Sequence, residues 1–324
     1  MEGVGVLMAM LSSAIGGTSA ALIRFMIGST DPISLSALRF GGGFLSLLPI
    51  ALLLRSPWPK GRDWIGVVGL GILFFGVCFY LFNWALSFTT AARGALAMST
   101  LPLLTMAVGA ALGVERLSWR KSVGVSIAIV GAALALITGL DTAPPEALRG
   151  DLIMVASALC YAFYNVWSRP FIKRSAPLTY TAATMGAGAG FVVLLAWVSG
   201  GFSVLIGYDA SQWLAVAYLG TIGSALSTYF WVSALERTTP TRVACTTTLN
   251  PVTASALGAI ILGEPIGLNI VIGIGAVLAG IWIATTEQSR KPKPPTDVLV
   301  AYPANYWNDW RPGYRSRDID DTPP

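Results

Sequence analysis

"MSTLPLLTMAVGAALGVE", residues 98–115, and "TTLNPVTASALGAIILGE", residues 247–264, are two apolar runs with the same punctuation. Each carries a proline near its start (Pro102, Pro251), then a Gly-Ala pair, then a closing glutamate (Glu115, Glu264). The likeness extends upstream, where "TTAARGALAMSTLP" from Thr89 matches "TTPTRVACTTTLNP" from Thr238 at Arg93/Arg242 and Ala95/Ala244. One offset, 149 residues, relates all these positions and also carries Gly124 onto Gly273 and Gly131 onto Gly280. Nearer the N-terminus an offset of 145 aligns Arg24 with Arg169, Pro32 with Pro177 and Gly41 with Gly186. The chain is therefore read as two copies of one unit, with a short loop insertion in the second.

Composition says where such a unit lives. Of the 324 residues, 54% are apolar and 11% charged, against about 25% charged in a soluble domain. The 35 glycines suit close helix contacts in a bilayer. The net charge of +5 is spread over short connections, so no nucleic-acid surface is expected. Cys78, Cys160 and Cys245 lie in apolar runs without ligand spacing and are expected as small apolar residues, not as disulfides or metal ligands.

A hydrocarbon core of about 30 Å takes roughly 20 helical residues. Ten runs meet that length: 4–27, 33–54, 64–88, 92–114, 121–139, 150–169, 178–200, 213–236, 241–263 and 268–286. The first lacks a basic leader and has a counterpart later, so it counts as a span and not a signal peptide. Lys and Arg concentrate in alternate connections, "RSPWPKGRD", "ERLSWRK", "RPFIKR", "ERTTPTR" and "RKPK". The positive-inside rule makes those cytoplasmic, and both termini with them.

The fold expected is an all-α polytopic membrane protein of ten transmembrane helices arranged as two inverted five-helix repeats. Residues 1–140 form the first, 141–286 the second, and 287–324 a disordered cytoplasmic tail rich in Pro, Asp and Arg. Five being odd, the second copy enters the membrane upside down, the architecture of secondary transporters. In the tail, "NYWNDW" (Tyr306, Trp307, Trp310) is an interfacial anchor, a partner motif or an undirected segment.

Ten spans in two repeats, the arginine of "SALRFGG", and the glutamates of "GVERLS" and "LGEPIG" resemble the EamA branch of the drug/metabolite transporter superfamily. The resemblance runs from about residue 4 to 286. It implies efflux or exchange of small metabolites, amino acids or drugs through a cavity bounded by helices 1, 3, 4, 6, 8 and 9. A bacterial inner-membrane permease is the localisation that goes with it.

Polar groups inside hydrocarbon should face protein or a wet cavity. Tyr161, Tyr164, Asn165 and Ser168 share one face of span 6, as do Tyr80, Asn83, Trp84 and Ser87 in span 3. Span 8 adds Thr228 and Trp231, and span 9 adds Thr248 and Asn250. These are the substrate-binding candidates: aromatic walls with amides and hydroxyls that orient an amphipathic molecule. The alternative is helix–helix glue, with Trp84 at the outer interface.

For gating or coupling the candidates are Arg39, Pro102, Pro251 and Glu264. Arg39 lies roughly 9 Å deep at 1.5 Å per residue. It either snorkels, binds carbonyls, contacts an anionic substrate, or forms a salt bridge that breaks in the cycle. Each proline frees a carbonyl one turn earlier. A glutamate at a helix C-terminus opposes the dipole, so Glu115 and Glu264 should instead accept from a neighbouring helix or pair with a base. Arg116, Arg120 and Lys121 are near Glu115; Glu264 has no such neighbour and is the candidate for proton coupling.

With no histidine and no P-loop motif, Ser-His, Cys-His, HExxH and nucleotide-hydrolysing chemistries are excluded. The expectation is a non-enzyme without cofactor or metal. It works in the lipid bilayer on a small-molecule substrate, as monomer or homodimer, driven by the proton gradient or by exchange. A membrane scaffold acting through the tail is the other reading.

Overall fold

The computed structural model describes residues 2–27, 30–89, 91–115, 118–136, 145–202, 207–250, 252–253 and 268–286. Pro251, Glu264 and the tail lie outside the described residues. Among those described, every regular element is helical. In chain order these are α1 (Glu2–Ile27), α2 (Pro32–Leu53), α3 (Asp63–Ala85), and α4, which runs Ala91–Met98 and resumes as Leu101–Ala111. Then come α5 (Trp119–Leu136), α6 (Ala147–Arg174) and α7 (Pro177–Val198). The α8 helix joins Ala210–Gly220 and Ser227–Arg237 through a π-helical stretch, Thr221–Leu226. After α9 (Pro240–Cys245, tightening to a 3-10 turn at Thr246–Thr248) the last is α10 (Leu268–Thr285).

Among the described residues, five stretches are long and apolar enough to cross a bilayer by length and composition: Pro32–Leu53, Asp63–Ala85, Gly94–Ala111, Ala147–Arg174 and Pro177–Val198. Val271–Thr285 is a shorter apolar helix.

Local chemistry sets the ends. Asp31 caps α2, its Oδ1 accepting from the Ile33 and Ser34 N–H groups at 3.0 Å each, with Pro32 pre-set for the first turn. At α8, Asp209 and Gln212 form a reciprocal box: the Gln212 N–H donates to Asp209 at 2.8 Å and the Asp209 N–H to Gln212 at 2.9 Å. The Gln212 N–H, then the Ser211 hydroxyl, hold the Asp209 carboxyl below its ordinary range. That cap is complete above the usual aspartate range and fails only on acidification through the lowered value. The α4 helix breaks at Ser99–Thr100, just before Pro102, and stops where Gly113 takes φ +67°.

The packing follows a regular scheme. α1 lies on α8 as α6 lies on α3; α3 lies on α7 as α8 lies on α2; α4 meets α6 as α9 meets α1. The pairs α2–α7, α4–α9 and α5–α10 face each other. Two π stretches, Ile72–Cys78 in α3 and Thr221–Leu226 in α8, begin 149 residues apart, the offset already found in the sequence.

Glycine permits a close crossing of α5 and α10. A Cβ on Gly124 would stand 2.8 Å from the Gly280 carbonyl oxygen, and one on Gly131 would stand 2.9 Å from that of Gly273. Rising numbers on α5 meet falling numbers on α10, so the two run antiparallel with backbones in contact. Such approach is the small-residue packing of membrane helices, where lipid supplies no hydrophobic drive. Gly280→Leu should therefore destabilise the protein by about 1–3 kcal/mol through overpacking, lowering its unfolding temperature in detergent. Gly275→Leu should leave it unchanged, because a Cβ there meets nothing within 4 Å.

Candidate functional site

The α3, α6 and α8 helices bring an aromatic cluster to the interior. Phe74 stacks on Tyr164 (4.1 Å between centroids, 11°) and tilts against Tyr161 at 4.5 Å. Tyr161 in turn lies 5.4 Å from Trp231. Trp231 donates its indole N–H to Asn165 Oδ1 at 2.9 Å. Asn165 is fully buried, and its Nδ2 has no hydrogen-bond partner. Two amide N–H donors thus end beside aromatic faces, a costly arrangement unless something accepts from them. The structure so brings together Tyr161, Tyr164, Asn165 and Trp231, drawn from two separate sequence spans.

Arg39 stands next to this cluster. It lies over the rings of Phe40 (5.1 Å) and Phe79 (5.3 Å). Its Nε donates to Ser224 Oγ at 2.8 Å and its Nη2 to the Gly223 carbonyl at 3.4 Å. Both acceptors belong to the π stretch of α8, whose altered ladder presents backbone carbonyls sideways. The short bond of Arg39 is thus to the Ser224 hydroxyl, with a longer one to the Gly223 carbonyl, and two ring faces flank the cation.

The remaining candidates fall elsewhere. Asn83 donates to Ser36 Oγ at 3.1 Å and, with Tyr80, Ser36 and Val192, lines a cleft of about 20 Å³ between α2, α3 and α7. Tyr80 and Trp84 are exposed and stack on each other on the outer face of α3. Thr228 is half-buried. Thr248 is buried and bonds the Cys245 carbonyl of its own helix at 2.8 Å. Asn250 packs its amide against Gly16 of α1, with Oδ1 buried and unpartnered. Pro102 is buried in the first turn after the α4 break.

Other functional side chains were not singled out in the sequence. Phe74, Phe75 and Phe79 look like any apolar residues of a span. Glu115 was noticed; its partners needed the fold. Lys121 Nζ donates to Glu115 Oε2 at 2.9 Å and the Thr241 N–H donates to Oε1 at 2.9 Å. Both charges are buried. The carboxylate that opposes its own helix dipole thereby caps the first turn of α9. At the same end, Arg174 grips Asp63 through two bonds of 2.9 Å, and Arg242 reaches Glu2 at 2.8 Å. Lys121→Met should cost about 3–5 kcal/mol by leaving the Glu115 carboxylate buried without its cation. The double variant Glu115→Gln, Lys121→Met should recover most of that loss in denaturant unfolding.

Among the described residues no group of three His, Cys, Asp or Glu could hold a metal ion. The arrangement is one of polar groups within an aromatic enclosure. The model of the EamA-like transporter family matches residues 3–137 and 148–286. The chain is 26% identical over 280 residues to the uncharacterized transporter YyaM of Bacillus subtilis, covering 84% of this chain and 90% of that one. It is 32% identical to an uncharacterized protein of Pseudomonas aeruginosa, over 78% of this chain and 83% of that one. It is also 26% identical to a probable amino-acid metabolite efflux pump of Salmonella typhimurium, covering 85% and 93%. A protein of known crystal structure shares the fold at TM-score 0.71 and 22% identity, over 88% of this chain and 98% of that one. The family is one of multi-pass membrane transporters. The chain belongs to the EamA-like transporter family.

Proposed function

We propose that this transporter is a secondary active exporter of a small amphipathic metabolite, an amino acid or close relative, working by alternating access. In this reading the chain crosses a bacterial inner membrane ten times, as two inverted five-helix repeats with both termini cytoplasmic. The observation that carries it is the reciprocal packing. Exchanging α1–α5 for α6–α10 carries the principal helix pairings onto one another, and the π stretches and glycine crossings follow. Two halves that can trade conformations give inward-open and outward-open states with the same parts. The basic loops supply the orientation, and the name of the Salmonella relative supports the cargo class.

Cargo would be held by the Asn165 amide and the walls of Tyr161, Tyr164 and Trp231. Asn83 and Asn250 lie along the path, and Arg39 couples α2 to the π stretch of α8. Energy comes from the proton gradient or from counter-exchange. Asn165→Ala should lower amino-acid flux in reconstituted vesicles roughly three- to tenfold, the worth of one or two hydrogen bonds, with expression little changed. Asn83→Ala and Asn250→Ala should do so to a smaller extent. Unchanged flux in all three variants would remove this cavity. Dissipating the proton gradient abolishes accumulation in the first energy scheme and leaves exchange intact in the second.

A further inference from the structure

The turn from α8 into α9 concentrates polar atoms in the interior. The hydroxyl oxygens of Thr238, Thr239 and Thr241 are buried without hydrogen-bond partners, and so are Nε and Nη2 of Arg242. A native chain leaves few such atoms, and five within five consecutive residues call for an explanation. Arg242 is 1% exposed, the largest of the fully buried side chains. Its hydrogen bond among the described residues runs from Nη1 to Glu2 Oε2, and Glu2 is 56% exposed.

A guanidinium offers two kinds of donor edge. The side formed by Nε and Nη2 presents parallel N–H groups that match the two oxygens of one carboxylate. Arg174 uses that edge on Asp63 in this same protein. In Arg242 the identical edge is the unpartnered one, while Glu2 accepts from Nη1. The nearby Glu115 carboxylate does not repel an incoming anion as a bare charge, because Lys121 lies 2.9 Å from it.

We propose that the Nε/Nη2 edge of Arg242, with the threonine hydroxyls of its turn, is the entry site for the carboxylate of the cargo. Glu2 is the tether that keeps the site closed. The α1 N-terminus seals Arg242 from water, so cargo reaches the edge only when the Glu2 bond is broken. Releasing Glu2 raises the fraction of protein able to bind and so tightens apparent affinity. This rests on the export reading above, which supplies a carboxylate-bearing cargo. The other source of an oxyanion at a membrane surface is a lipid phosphate.

Thermal unfolding of the purified full chain in lipid-depleted detergent tests the site without transport. The probes are L-leucine, L-phenylalanine and L-threonine beside their decarboxylated amines. At least one acid should stabilise the protein while its amine does not. Glu2→Gln should reach the half-maximal shift at roughly five- to tenfold lower concentration. Arg242→Gln should lose the response. Should that variant fold poorly, Arg242→Lys keeps the charge without the paired edge and should respond weakly. The proposal is overturned if amines act as well as acids, if no acid acts on either wild type or Glu2→Gln, or if Glu2→Gln leaves the midpoint unmoved. Stabilisation by phosphatidylglycerol but by none of the acids also overturns it and assigns the edge to lipid. Failure here leaves the Asn165 flux test standing, since that test reads the aromatic cluster and not this turn.

Discussion

Hydrocarbon offers no hydrogen bonds, so every polar atom in the interior needs a partner within the chain, and helices must meet closely to supply one. Glycine sets how closely. Where Gly124 passes Gly280 and Gly131 passes Gly273, the α5 and α10 backbones touch. Gly188 meets the Gly71 carbonyl in the same manner, and Gly43 that of Gly220. With the backbones so placed, side chains at the crossings do not fill space between helices and the remaining contacts fall into register. The Arg39 bond to the α8 π stretch and the indole bond from Trp231 to Asn165 both depend on that spacing.

Much of this was legible. Pro32 and Pro177 mark helix starts, and the offset of 149 residues relates the two halves, though the π stretches that share it appear only in the structure. The grouping of Tyr161, Tyr164 and Asn165 on one face follows from helical spacing alone. Their meeting with Trp231 does not, because spacing within a helix fixes which residues share a side and not which helix that side faces. Tyr80 and Trp84 illustrate the same limit: they do share a face and stack, but the face is the outer one. Phe74 went unnoticed since an aromatic ring is equally at home against lipid and against Tyr164. For Glu115 the sequence offered three bases, and selection of Lys121 required the turn that Gly113 makes at φ +67°.

The charged end of the molecule and the aromatic interior divide the work. Ion pairs of Lys121, Arg174 and Arg242 tie the ends of α1, α3, α5, α6 and α9 and the α4–α5 turn. The interior is instead held mainly by rings, glycines and neutral hydrogen bonds, with Arg39 the charged group among them; neutral contacts rearrange at lower cost than a buried ion pair. That allocation suits the alternating access proposed above, with the electrostatic fastenings kept where one group can be exchanged for another.

The π stretches carry a consequence for how this architecture can vary. A π turn holds one residue more than the α-helical ladder requires. Deleting a single residue from Thr221–Leu226 would regularise the helix and leave everything after it, Trp231 included, facing the way it does now. In most transmembrane helices a one-residue deletion rotates an apolar face out of register and damages the fold. Here the surplus residue is slack, and α3 holds the matching slack at Ile72–Cys78. Either helix can thus lose one residue at its π stretch with no compensating substitution elsewhere.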